Sequence, residues 1–79
     1  MSIGYSFKLV ELNRKADSNL IGVRLGRVCI EQGISVSSIS EKLGVSRQTI
    51  YNWFSGITFP KHEHIPCITT IIAQLTFSK

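Results

Sequence analysis

Residues 36–54, VSSISEKLGVSRQTIYNWF, constrain the fold of this chain more than any other stretch. Ser35 is a good N-cap for a short helix whose inner face is Val36, Ile39, Ser40 and Leu43, and Gly44 stops it. Only Gly44 and Val45 separate that helix from Ser46, the cap of another running over 46–54 with Ile50, Trp53 and Phe54 as its apolar stripe. Two helices joined by so short a turn cross at a wide angle and approach closely at the corner. Close approach asks for a small residue in the first helix, which Ser40 supplies. The turn asks for positive φ, which Gly44 supplies at least cost. Val45 is expected to plug the corner, with Ile50 over Ser40 and with Ile39, Leu43 and Trp53 beneath.

On either side of this pair the pattern predicts further helices. Asp17, Ser18 and Asn19 are candidate caps for a helix ended by Gly33, with Ile21, Leu25, Val28 and Cys29 on one face and Arg24, Arg27 and Glu31 on the other. Ser55 to Pro60 reads as a loop, since glycine and proline both interrupt helix. A last helix is expected from near Glu63 to Ile65 up to about Leu75, with Ile65, Ile68, Ile71, Ile72 and Leu75 inward and Pro66 in its first turn. Its β-branched richness keeps a strand open as an alternative. Residues 1–17 are an N-terminal extension that fits a strand, a short helix or an arm, because Val10 and Leu12 break the alternation of Tyr5, Phe7 and Leu9. The expected architecture is all-α: a compact bundle of four to five short helices over residues 18–79, preceded by that extension.

Seventy-nine residues allow one core. Cys29 and Cys67 are too few for a disulfide scaffold, which points to a reducing cytosol. The start, MSIGYSFKLVELNRK, lacks the basic-then-apolar order of a secretory signal, and Ile65–Phe77 is too short and too interrupted to span a bilayer. A cytoplasmic protein with no membrane partner is expected. The formal net charge of +4 and a pI near 9.4 favour a polyanionic partner.

The outward face of helix 46–54 narrows the choice of polyanion. Ser46, Arg47, Gln48, Tyr51, Asn52 and Ser55 lie there, nearly all able to hydrogen-bond, with no acid among them. Arginine binds guanine O6 and N7 in bidentate fashion, and glutamine or asparagine does the same for adenine N6 and N7. An ordinary solvated helix face carries more glutamate and lysine. Trp53 and Phe54, on the inward stripe, read as core and not as stacking platforms for bases.

Residues 20–60 resemble the lambda-repressor/Cro-like (Xre-type) helix-turn-helix family. The resemblance rests on Ile39, Ser40, Leu43, Gly44, Val45, Ile50 and Trp53, and on the W-x-x-G-x-x-x-P ending at Trp53, Gly56 and Pro60. That family usually has alanine where Ser40 stands, often has glutamine where Val36 stands, and usually builds its core from five helices. The resemblance implies that Arg47, Gln48 and Asn52 read bases, with Tyr51 beside them. Ser35, Ser46 and Thr49 would serve phosphates or caps, and Gly56, Thr58 and Lys61 would touch the duplex backbone beside Ser55. It implies operator binding by a transcriptional regulator, a repressor, and a homodimer on double-stranded DNA, with its interface in the C-terminal helix or residues 1–17.

Other chemistry finds little support. His62, His64 and Cys67 offer three metal ligands where a structural zinc needs about four. No nucleophile sits beside an evident base, and no glycine-rich phosphate loop is present, so neither catalysis nor a cofactor or small-molecule ligand is expected. Cys29 reads as a small core residue, and Arg24 and Arg27 as solvated charges. Two alternatives remain. One is a protein-interaction module, antitoxin-like or polymerase-binding, signalled by an apolar patch of Phe7, Leu9, Phe59 or Phe77. The other is the DNA-targeting piece of a recombinase or transposase, against which an end at Lys79 would weigh.

Overall fold

The computed structural model describes residues 5–77, and all regular structure among them is helical. Five α-helices follow one another: α1 Phe7–Lys15, α2 Ile21–Gln32, α3 Val36–Leu43, α4 Arg47–Ser55 and α5 Ile65–Phe77, with a 3₁₀ turn at His62–His64 before the last. The expected all-α bundle is what forms, and residues 65–77 are helix and not strand. Helix α2 is central. It packs against both α4 and α5, while α1 and α3 each pack against α4.

Residues 7–15, open among three readings in the sequence, form α1. Ser6 caps it, its Oγ accepting the Leu9 N–H at 3.1 Å, and the helix turns Leu9 and Asn13 inward at i, i+4 spacing. Ahead of α1, the Tyr5 ring stacks on Phe54 with centroids 6.3 Å apart, and its hydroxyl donates to the Ile34 carbonyl between α2 and α3. Burial, with Cys29 and Tyr51 nearby, raises the Tyr5 hydroxyl above its ordinary pKa. Residues 5–15 therefore belong to the same core as the helices that follow.

Helix α2 starts later than its candidate caps suggest. Leu20 occupies the N-cap without a side-chain hydrogen bond, and the Asp17 carboxylate instead accepts the Asn19 N–H at 2.9 Å in the preceding turn. At the other end Gly33 takes the left-handed conformation, φ 70°. The buried face of α2 includes Gly22 and Gly26 with Val23, Leu25 and Cys29, whereas Val28 is only half-buried. Both glycines are places of close approach. A Cβ on Gly22 would lie 2.9 Å from the Trp53 carbonyl oxygen, and one on Gly26 would lie 2.6 Å from Phe54 Cγ and 2.7 Å from Asn13 Nδ2. Helix α4 can lie against α2 because α2 has no side chain at those two points. Burial pushes the Cys29 thiol up to about 12, as befits an inert core sulfur.

The corner between α3 and α4 follows the sequence closely. Ser35 Oγ accepts the Ser38 N–H at 3.1 Å to start α3, and Gly44 ends it at φ 70°. The Ser40 carbonyl then accepts both the Gly44 N–H at 2.8 Å and the Val45 N–H at 3.1 Å, so one oxygen closes the turn. Val45 packs half-buried against the core while Ile39, Leu43, Ile50 and Trp53 are buried, as expected of the corner.

The two glycine types should separate by substitution. A Cβ on Gly44 meets nothing within 4 Å, so only its backbone conformation resists a side chain. Gly44→Ala should cost about 1 kcal/mol and Gly44→Asn distinctly less, since asparagine tolerates positive φ. Gly26→Ala should cost about 2–3 kcal/mol by overpacking against Phe54 and Asn13. Urea unfolding of the three variants measures the order, and equal losses at Gly26 and Gly44 would contradict it.

Candidate nucleic-acid interface

The site is built on α4, and its start and end are both closed by local hydrogen bonds. Ser46 Oγ accepts the Thr49 N–H at 3.1 Å and lies 2.9 Å from Thr49 Oγ1. The pair thus satisfies one of the orphan amides of the first turn. At the other end Gly56 adopts φ 77° and donates to the Asn52 and Trp53 carbonyls. The N–H groups of Ile57 and Thr58 also turn back to the Asn52 carbonyl, at 2.9 and 3.4 Å, which lays the start of the loop on the end of the helix.

One face of α4, Ile50, Trp53 and Phe54, is buried. The opposite face carries Arg47, Gln48 and Tyr51, all exposed, with Asn52 and Ser55 half-buried at its edge. Gln48 Nε2 donates to Asn52 Oδ1 at 3.1 Å, so the two amides one turn apart are held together. The pair leaves the Gln48 oxygen as an acceptor and the Asn52 nitrogen as a donor on the outer surface.

Two grooves flank this face. On the α1 side, Gln48, Tyr51, Asn52 and Ser55 share a groove with Ser6, Lys8, Leu9, Leu12 and Ile57. On the loop side, Thr49, Thr58 and Lys61 share another with Val45, Trp53, Phe59, Glu63 and His64. Every site residue named from the sequence after position 45 is thus on α4, at its cap or in the loop behind it; Ser46, Arg47 and Gly56 line neither groove, and the others divide between the two. Ser35 stands apart at the head of α3, half-buried and engaged as a cap. Ser6, Lys8, Leu12 and Ile57 beside the outer face of α4 were missed. Three of them lie in the segment whose structure was open, and the legible signal was Ser6 as a cap three residues ahead of Leu9.

Asn13 fixes where that face stands. Only 3 % exposed, its Nδ2 donates to the Phe54 carbonyl at 2.7 Å and to the Val23 carbonyl at 3.1 Å. The Phe54 carbonyl is one of the last four of α4, which have no intrahelical partner, so Asn13 both satisfies it and ties α1 to α4. Arg27, half-buried and not a free surface charge, donates to the Asn13 and Arg14 carbonyls at 2.9 and 3.3 Å and so closes the end of α1. Arg24 is exposed, as expected. Among the described residues no group of three or more His, Cys, Asp or Glu is placed to hold a metal ion. The His64 ring lies against Trp53, centroids 5.5 Å apart. No helix among the described residues is long and apolar enough to cross a membrane.

Residues 28–58, from the second half of α2 through α3 and α4 to the start of the loop, match a family model described as a homeodomain-like domain. The match supports a helix-turn-helix DNA-binding domain, in agreement with the corner and the outer face of α4. No curated protein and no solved structure matches the chain.

Asn13→Ala should leave the Phe54 carbonyl buried without a partner, at a cost of about 1–3 kcal/mol. In a domain of this size that lowers Tm by roughly 4–8 °C for each kcal/mol, read by thermal unfolding. An unchanged Tm would show that α4 is held without this contact.

Proposed function

We propose that this protein is a sequence-specific double-stranded DNA-binding transcriptional regulator, a repressor of the lambda-repressor/Cro-like type, acting as a homodimer without catalysis in a bacterial or infected-host cytoplasm. The observation that carries the reading is the outer face of α4, where Arg47, Gln48 and Tyr51 are exposed, Asn52 is paired to Gln48, and no acid is present. Such a helix can enter the major groove, with arginine suited to guanine and the two amides to adenine. The capped loop behind α4, with Thr58 and Lys61, suits the phosphate backbone, and the net charge of +4 acts in the same direction.

The homodimer rests on two considerations. A single module of this size buries little surface on DNA, so useful affinity normally comes from two copies on half-sites about 34–36 Å apart. Helix α5 offers a surface for the second copy: from Ile65 to Phe77 no residue is charged, and Phe77 is 84 % exposed.

A second reading has an observation of its own. Phe7, Ile57 and Phe59 are 79 %, 66 % and 63 % exposed, an apolar show that a protein partner would cover. Leu9, by contrast, is buried and contributes nothing to such a patch.

Selection from a randomised duplex library at moderate salt separates the two. The wild type should enrich a palindromic motif. A triple variant, Arg47→Ala, Gln48→Ala, Asn52→Ala, should keep its fold and lose the motif, with affinity for the selected duplex down by about 100-fold or more. Weak binding of both proteins without enrichment would overturn the regulator reading and favour the protein-interaction module.

A further inference from the structure

We infer that Lys8 on α1 is a phosphate ligand, paired with Lys61 across α4 so that each lysine serves one of the two strands lining the major groove that α4 enters. This rests on the DNA-binding reading and extends the interface to an element outside the helix-turn-helix. The two grooves flanking α4 each contain one lysine: Lys8 on the α1 side, beside Gln48 and Asn52, and Lys61 on the loop side, beside Thr49 and Thr58. Both side chains are exposed. The carboxylates of Glu11 and Glu63 lie against Arg14 and His64 among the described residues, so neither lysine is engaged by a carboxylate. Glu63 lies in the Lys61 groove, with a carboxylate oxygen 3.7 Å from His64 Nε2, whereas no acid lines the groove of Lys8.

The geometry of the duplex supplies the reason for two cations. An α-helix with its side chains is about 10–12 Å across and the major groove is about 12 Å wide, so a helix seated there has a sugar-phosphate backbone close on each side. Contacts to those backbones set the register and tilt of the helix and carry no sequence information. A cation on one flank alone would pull α4 toward one wall. Lysines on both flanks centre it. The placement of Lys8 is not left to a loose arm, because α1 is tied to α4 through Asn13 and to the α2–α3 turn through Tyr5.

The test uses the duplex enriched by the wild type and measures affinity against salt for Lys8→Ala, Lys61→Ala and Lys8→Arg, together with phosphate-ethylation interference. Each alanine variant should lower the slope of log K against log salt by about 0.9 for each protomer, about 1.8 for the homodimer on its operator, and weaken matched and mismatched duplexes by the same factor. Lys8→Arg should keep the wild-type slope. Within each half-site, interference should disappear on one strand for Lys8→Ala and on the other strand for Lys61→Ala. Lys8 is exposed, so an unchanged thermal melt verifies that its variants are folded. If the wild type selects a motif but Lys8→Ala keeps the full slope and interference pattern, Lys8 is a solvated charge and the inference is wrong. Loss of interference on the same strand of a half-site for both variants overturns it as well. A wild type that selects no duplex removes the DNA reading itself, and this pairing with it.

Discussion

The carboxamide of Asn13 gathers three helices at one point, and the position of α4 depends on it. Its two donated hydrogen bonds end on carbonyls of α2 and α4, while its own backbone carbonyl receives Arg27 from α2. Buried polar groups are tolerable only when satisfied, and among the described residues every buried side-chain nitrogen and oxygen has a partner. Gly26 makes the arrangement possible, since a methyl there would overlap both the carboxamide and the Phe54 ring. The result is a helix whose inner side is locked by Phe54, Trp53 and Ile50 and whose end is held by hydrogen bonds, leaving its outer side to a partner.

That division of labour explains why the polar side chains of α4 can be held ready for contact. Base reading loses affinity when side chains or whole helices must first be ordered. Here the Ser46 cap, the Gly56 turn and the Gln48–Asn52 pair supply order locally, and α1 supplies it from a distance. The bundle is small, so each of these ties is a large fraction of what holds the outer face of α4 in place.

What was legible in the sequence was local. Caps at Ser35 and Ser46, left-handed glycines at 33 and 44, and the apolar stripe of α4 all act within a few residues of themselves, so spacing alone reveals them. Pro66 and the isoleucine periodicity placed α5 in the same way. What was not legible depends on long-range placement. Residues 7–15 have weak periodicity because their inward side includes a polar residue, Asn13, whose partners are 10 and 41 residues away. Gly22 and Gly26 look like helix-weakening residues until α4 is seen against them. Arg27 looked solvated because the carbonyls it closes belong to a helix that had not been assigned. The candidate base readers were therefore named from α4 alone, and the groove on the α1 side became visible only once the fold brought Lys8 beside Gln48.

The central claim is that the outer face of α4 lies in the major groove of its operator. Methylation protection by dimethyl sulfate reads it most directly, because guanine N7 lies in the major groove and adenine N3 in the minor groove. The account predicts protection of guanine N7 within each half-site, with adenine N3 left reactive across the positions that α4 spans. Protection confined to adenine N3, or no protection on a duplex that the protein binds, would place α4 outside the major groove and contradict the account.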